Sequence, residues 1–296
     1  MIFSGLALCR CDVSVSGSDM LEHPASLLSL LALAAGMAAT GLFSGVLAGL
    51  LGVGGGIVIV PVLFNILPIF GVPEATQMKI AVATSLATII PTSIISARKH
   101  FAKGTMDMAL LRSLAPAMFL GAMLGTVMAV VLKGQILSAI FAAVALLVAI
   151  NMGFAGLEWR LRERMPGGIA RAAIGAGIGG FSAVMGIGGG TLGVPVLSMF
   201  GANIRGAVST SSAFGLIIAV PATIGLVVAG MGMDGRPPYS LGWVSLIGFV
   251  LIAPASIIAT PWGVALAHSI SPLLLKRVFA VFLALTSARM AYSLLG

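Results

Sequence analysis

Residues 41–63 read GLFSGVLAGLLGVGGGIVIVPVL and residues 175–197 read GAGIGGFSAVMGIGGGTLGVPVL, and the two stretches align without a gap at an offset of 134. Gly41, Gly45, Gly52, Gly54, Gly55, Gly56 and Pro61 fall on Gly175, Gly179, Gly186, Gly188, Gly189, Gly190 and Pro195. Further matches follow each copy: KIAVATS at 79–85 pairs with RGAVSTS at 205–211, and Gly125, Phe141 and Met152 pair with Gly263, Phe279 and Met290 at an offset of 138. Self-similarity sustained over this length marks two homologous halves. The chain accordingly divides into a polar lead (1–25), a first repeat (26–157), a basic linker (158–167) and a second repeat (168–296).

Composition says where these halves live. Apolar side chains make up 59% of the 296 residues and charged ones 8%, against roughly 25% charged in a soluble domain. Ten apolar segments follow one another at 26–51, 57–70, 77–97, 108–132, 136–157, 168–187, 191–202, 206–230, 241–267 and 273–295. Eight are long enough to span a bilayer, which takes about 20 residues. The second and seventh give only about 20 Å of helix at 1.5 Å per residue, and each follows a glycine run. They read as half-helices, which persist at membrane depth only where protein or a water-filled cavity satisfies the broken backbone. The expected fold is an all-α polytopic membrane protein of eight long spans and two short segments. Such a chain has no room for a separate catalytic or ATP-hydrolysing domain, so any transport is secondary or passive.

The net charge of +8 comes from cations set between apolar runs, not from a basic stripe interleaved with aromatics, so it points to topology and not to nucleic acid. Arg98, Lys99 and Lys103 in the 98–107 loop, and four arginines between 157 and 171, place both loops in the cytoplasm by the positive-inside rule. Two topologies give the same distribution of cations. If the short segments cross, each half has five spans and the halves are inverted; if they return, each has four and the halves are parallel. Inverted repeats around a midplane site are the commoner plan where helices are broken, and inversion is the expectation here. Residues 1–19 lack the basic region of a signal peptide, and Met20 is an alternative start. Cys9 and Cys11 are too close for an ordinary disulfide and too few for a zinc site.

The paired runs GVGGG (Gly52 to Gly56) and GIGGG (Gly186 to Gly190) carry the strongest chemical signal. Glycine lets backbone turn sharply and approach a bound group, and a helix that starts there presents unpaired N–H groups and a positive dipole end. Two such ends make an anion site, with Gly54, Gly55, Gly56, Gly188, Gly189 and Gly190 as its lining. The more widely spaced glycines at 41, 45, 49, 175 and 179 read as close-packing positions. A nucleotide fingerprint fails, because Ile57 and Thr191 stand where it needs glycine and no Lys-Ser/Thr follows. Thr84, Ser85, Thr210 and Ser211 offer hydroxyls at matched places, and Lys79 and Arg205 precede them by about a turn and a half. Hydroxyls inside a span hold Na⁺ or an oxyanion, or else satisfy their own helix, and the two cations serve the site or anchor the interface. The prolines at 61, 91, 116, 195, 221, 254 and 261 remove helix donors and bend their segments.

All eight carboxylates (Asp12, Asp19, Glu22, Glu74, Asp107, Glu158, Glu163 and Asp234) lie outside the segments, and His23, His100 and His268 sit at segment ends. No acidic proton relay, metal cluster or Ser-His dyad is expected, and an enzyme is a poor reading. The chain resembles the TauE/SafE family of membrane transporters over residues 26–295, through GVGGGIVIVP, GIGGGTLGVP, AVATS and AVSTS. That resemblance implies export of small anions, often sulfite or organosulfonates such as sulfoacetate, across the inner membrane. An uncoupled channel or uniporter is the alternative, and a membrane scaffold a weaker one. The expected partners are a small anionic substrate, the bilayer, and Na⁺ or H⁺ as coupling ion, with no cofactor.

Overall fold

The computed structural model describes residues 24–52, 54–153, 165–233, 236–237, 239–266 and 272–293. Ten α-helices are seen among them. The first half holds α1 (Pro24–Leu51), α2 (Gly56–Ile66) with a 3-10 turn (Leu67–Phe70), α3 (Glu74–Ala102), α4 (Met108–Val131) and α5 (Gly134–Gly153). The second holds α6 (Gly168–Met185), α7 (Gly190–Met199), α8 (Ile204–Gly230), α9 (Leu246–Leu266) and α10 (Pro272–Ser293). Both short elements begin at the glycine runs, and all seven prolines noted above lie inside helices. A two-residue hairpin, β1 (Ser240–Leu241) with β2 (Val244–Ser245), precedes α9 and was not foreseen from the sequence. The helical stretch 24–36 belongs to one compact unit and everything from Met37 onward to another; the packing below concerns the second.

Among the described residues six helices are long and apolar enough to cross a membrane: Leu31–Leu50, Glu74–Ala102, Met108–Val131, Gly168–Met185, Arg205–Gly230 and Leu246–Leu266. Eight long spans were expected. The other two expected spans do form helices, but the apolar run in α5 is Gly134–Ile150, and α10 carries Lys276, Arg277 and Arg289. Large apolar side chains such as Leu120, Leu124 and Val131 on α4, Ile169 on α6 and Leu285 on α10 are exposed. In a chain of this composition they face acyl chains, not water.

Small residues seat the helices. On α6 against α4, a Cβ at Gly175 would meet Leu114, one at Gly179 the backbone of Met118, and one at Gly125 the backbone of Gly180. On α1 against α9 the equivalent contacts recur: Gly41 on Ile252, Gly45 on Ser256 and Gly263 on Val46. Each matches its counterpart by the offsets of 134 and 138 found in the sequence, so the two halves use one interface twice. With no hydrophobic drive between helices in lipid, such backbone-to-backbone approach is what packing has to offer.

The contacts also set directions. Ser93 of α3 lies at Gly215 of α8 and His100 at Ser209, so α3 and α8 run antiparallel. Residue numbers rise together along α4 and α6, and along α1 and α9, so each of these pairs runs the same way. Gly179→Ala should lower the melting temperature in detergent, by an overpacking cost of about 1–3 kcal/mol. Gly177→Ala, whose Cβ would meet nothing within 4 Å, should be neutral or stabilising; equal melting temperatures for the two variants would count against the packing described.

Candidate functional site

The two glycine breaks cross. Gly52 packs on Val208 and Ser212 of α8, and its counterpart Gly186 packs on Val82 of α3 and Val60 of α2, so each break lies against the third helix of the opposite half. Gly52 and Gly186 both have left-handed backbones, at φ 65° and 68°, which L side chains rarely adopt. Beyond these residues the breaks meet: a Cβ on Gly54 would stand 3.4 Å from the Cα of Gly188 and 3.0 Å from the side chain of Ile89. A Cβ on Gly189 would strike Phe214 and Ile218, and one on Gly56 would strike the Gly186 carbonyl and Ser85. Ser85, Ile89, Phe214 and Ile218 lie near the middles of α3 and α8, so the crossing sits at mid-span. The six glycines expected to line a site, Gly54, Gly55, Gly56, Gly188, Gly189 and Gly190, are brought together there and are buried.

Both short helices start at this crossing and leave it in opposite senses, α2 back along α3 and α7 back along α8. Gly55 is the N-cap of α2, left-handed at φ 74°, and Gly189 is the N-cap of α7; neither helix has a side-chain cap. The first turns are partly closed by the breaks themselves, with Val58 and Ile59 N–H donating to the Gly55 carbonyl and Gly193 N–H to that of Gly189. Two N-terminal dipole ends thus face a common region in which, among the described residues, no carboxylate neutralises them.

The four matched hydroxyls separate by role. Thr84 Oγ1 accepts from the Ser245 N–H at 2.9 Å, and Thr210 Oγ1 accepts from the Asp107 N–H at 3.0 Å. These are equivalent bonds, each tying the third helix of one half to the start of the fourth helix of the other. Ser85 Oγ donates to the Gly186 carbonyl at 2.7 Å and so links the halves. Ser211, its counterpart, is buried with no hydrogen-bond partner, as are Ser182, Thr191 and Ser96. Ser211 Oγ lies 2.8 Å from where a Cβ on Gly193, in the first turn of α7, would stand.

Neither cation is brought to the crossing. Lys79 Nζ donates to the Val130 carbonyl at 2.6 Å, at the end of α4, and lies 5.8 Å from the centre of the Trp243 ring. Arg205 is exposed at the start of α8. Each stands six residues, about 9 Å of helix, from its serine. Among the described residues no three His, Cys, Asp or Glu side chains group as a metal site.

The profile of the sulfite exporter TauE/SafE family matches residues 37–290, which include both breaks and their flanking helices. The chain belongs to this family. Among its relatives, a probable membrane transporter protein of Haemophilus influenzae is 33% identical over 250 residues, 84% of this chain and 95% of the relative. A probable membrane transporter protein of Methanocaldococcus jannaschii is 27% identical over 238 residues, 78% of this chain and 85% of the relative. No solved structure matches. The protein is therefore a TauE/SafE family membrane transporter, and its several apolar helices make it multi-pass.

Within this TauE/SafE scaffold the sequence reading took Ser85 but passed over the rest of its face of α3. Ser85, Thr92, Ser96 and His100 recur at helical spacing, and all four are buried. The signal was present as a polar series at intervals of seven, four and four residues, masked by the apolar side chains between. His100 Nε2 stands 3.4 Å from the Gly49 carbonyl of α1, and its Nδ1 stands 3.3 Å from Ser209 Oγ of α8. Ser85→Ala, which strips the Gly186 carbonyl of this donor, should cost about 1–3 kcal/mol of stability. Ser211→Ala removes an unsatisfied buried hydroxyl and should leave stability unchanged or raise it; a thermal-unfolding series with the opposite order would refute this division of roles.

Proposed function

We propose that this protein is a secondary transporter that exports small oxyanions, sulfite or organosulfonates such as sulfoacetate, by alternating access around the crossed glycine breaks. The observation that carries the reading is the pair of uncapped helix N-termini, Gly55–Gly56 and Gly189–Gly190, meeting at mid-span. Backbone N–H groups and dipole ends at such a place favour an anion. The unpartnered hydroxyls of Ser211 and Thr191 supply further donors. Lys79 and Arg205 act from outside the binding point: Arg205, exposed at the start of α8, raises the local anion concentration at its mouth, and Lys79 holds the end of α4. The family name supports the choice of substrate class, since the matching profile is that of sulfite exporters.

Alternating access needs two related halves able to rock about the site. The antiparallel pairing of α3 with α8, and the departure of α2 and α7 in opposite senses, support inverted halves in which break and short helix together return the chain across the membrane. In that arrangement each half crosses five times, and the 98–107 and 157–171 loops are cytoplasmic in the inner membrane. The connection after α8 then lies outside. In a background with Cys9 and Cys11 replaced by serine, Arg236→Cys should be labelled by an impermeant maleimide from the outside of intact cells. Labelling only after permeabilisation would favour parallel four-span halves.

Uptake of labelled sulfite, sulfate and sulfoacetate into proteoliposomes of the purified protein tests the substrate. Saturable uptake of at least one is expected. Ser211→Ala combined with Thr191→Val should raise KM by about tenfold or more, the equivalent of about 1.4 kcal/mol of lost hydrogen bonding, at unchanged melting temperature. Sealed vesicles of folded protein that take up none of the three anions would overturn the assignment.

A further inference from the structure

We propose that the two threonine ties are the gates of this transporter: the bond from Ser245 N–H to Thr84 closes the outer side of the crossing, and the bond from Asp107 N–H to Thr210 closes the cytoplasmic side. The inference rests on the alternating-access reading above and names the contacts that part in turn.

Position carries the proposal. Helices α3 and α8 touch at Ile89 and Gly215, where a Cβ on Gly215 would stand 3.4 Å from Ile89 Cγ2, and the same Ile89 lies 3.0 Å from a Cβ on Gly54 at the crossing. These two residues are equivalent, 126 apart like Lys79 and Arg205. Thr84 lies five residues before Ile89 and Thr210 five before Gly215, about 7.5 Å along each helix. Because α3 and α8 run antiparallel, the two ties fall on opposite sides of the crossing. Their donors are equivalent as well: Ser245 and Asp107 stand 138 apart, as Gly263 and Gly125 do, and each immediately precedes the fourth helix of its half. Both bonds join one half to the other, so a rotation of the halves about the Ile89–Gly215 contact parts one while it closes the other. That is the alternation a carrier built from two related halves requires. Each threonine also adjoins a serine at the crossing, Ser85, which donates to the Gly186 carbonyl, and Ser211, whose hydroxyl is unpartnered.

The chemistry suits contacts that must break and reform. Each tie is a single neutral hydrogen bond, 2.9 Å or 3.0 Å long, from a main-chain N–H to a buried hydroxyl. Such a bond is worth little net when both partners can turn to water, so a side that admits water opens cheaply. The covers that carry the two donors differ. On the outer side the hairpin forms a folded lid: Gly242, Trp243, Val244 and Ser245 are buried, Gly242 packs on Val227 of α8, and Trp243 N–H donates to the Leu226 carbonyl at 3.4 Å. The Trp243 indole N–H has no partner in this closed position, a cost recovered when the lid lifts into water. On the cytoplasmic side the cover is thinner. Lys103, Gly104 and Thr105 are exposed, and Thr105 meets α8 through the Ser209 hydroxyl at 2.6 Å. Both ties are made in this structure, which leaves the crossing covered from each side.

Side-specific labelling tests the gates. In a background with Cys9 and Cys11 replaced by serine, Thr191→Cys sets a thiol in the first turn of α7, at the crossing, where Thr191 is 3% exposed. Sulfonatoethyl methanethiosulfonate, a small impermeant sulfonate, then reports from which side that thiol is reached in right-side-out and inside-out membrane vesicles. Thr84→Val removes the outer acceptor, so the closed outer side buries a bare Ser245 N–H that the open side would hydrate. Labelling from outside should rise about fivefold, the step expected for one net hydrogen bond, and labelling from the cytoplasmic side should fall. Thr210→Val should do the reverse. Thr84→Ser and Thr210→Ser keep the oxygen and should label as the parent does. A merely structural role would lower the melting temperature of both valine variants and leave the ratio of outside to cytoplasmic labelling unchanged. That unchanged ratio, a shift toward the same side in both variants, or no labelling in either would overturn the gates while wild-type anion uptake still stands. Absence of any anion movement in wild-type proteoliposomes would instead overturn the transport reading, and this proposal with it.

Discussion

Where Gly54 meets Gly188 the main chain of one half touches the main chain of the other with no side chain between them. A helix broken at membrane depth must have its backbone satisfied by protein, and this chain meets that demand by exchange. Each break is laid on the third helix of the opposite half, and Ser85 of the first half donates to the Gly186 carbonyl of the second. The start of α2, the start of α7 and the crossing of α3 with α8 gather around that approach, and a Cβ on Gly56 would strike the Gly186 carbonyl.

The scaffold around the crossing is doubled, but its chemistry is not. The interfaces of α6 with α4 and of α1 with α9 use equivalent glycines, and Thr84 and Thr210 make equivalent ties. The buried polar groups break this symmetry. Thr191 and Ser182 stand where the first half has Ile57 and Ala48, while Ser96 and His100 of α3 stand where α8 has Ala222 and Leu226. Unpartnered hydroxyls gather beside the second break, and the polar face runs down the first half toward the cationic end of α3.

Burial and bonding also reassign side chains whose types suggested a site. Lys79 looked like a cation for an anion pocket, and its ammonium donates to the Val130 carbonyl near the end of α4, a use open to any lysine that reaches a helix C-terminus. Thr84 and Thr210, whose types suggested ligands, each supply the acceptor that a helix start lacks. His100, at what looked like the end of a span, is buried because α3 runs on to Ala102 and α1 and α8 close over its last turn.

The repeat, the membrane setting, the ten helical segments and the glycine runs were all legible in the sequence, because each is a local property: apolar length, small-residue spacing and backbone freedom are written residue by residue. Which glycine meets which could not be read there, nor could the separation of Ser85 from Ser211, although the two occupy the same motif position. Those depend on contacts between residues more than a hundred positions apart. Equivalent sequence in the two halves leaves each break free, on paper, to pack on its own half or on the other. Only the tertiary structure decided for exchange, since the approach of backbone to backbone requires glycine from both breaks in one place at once.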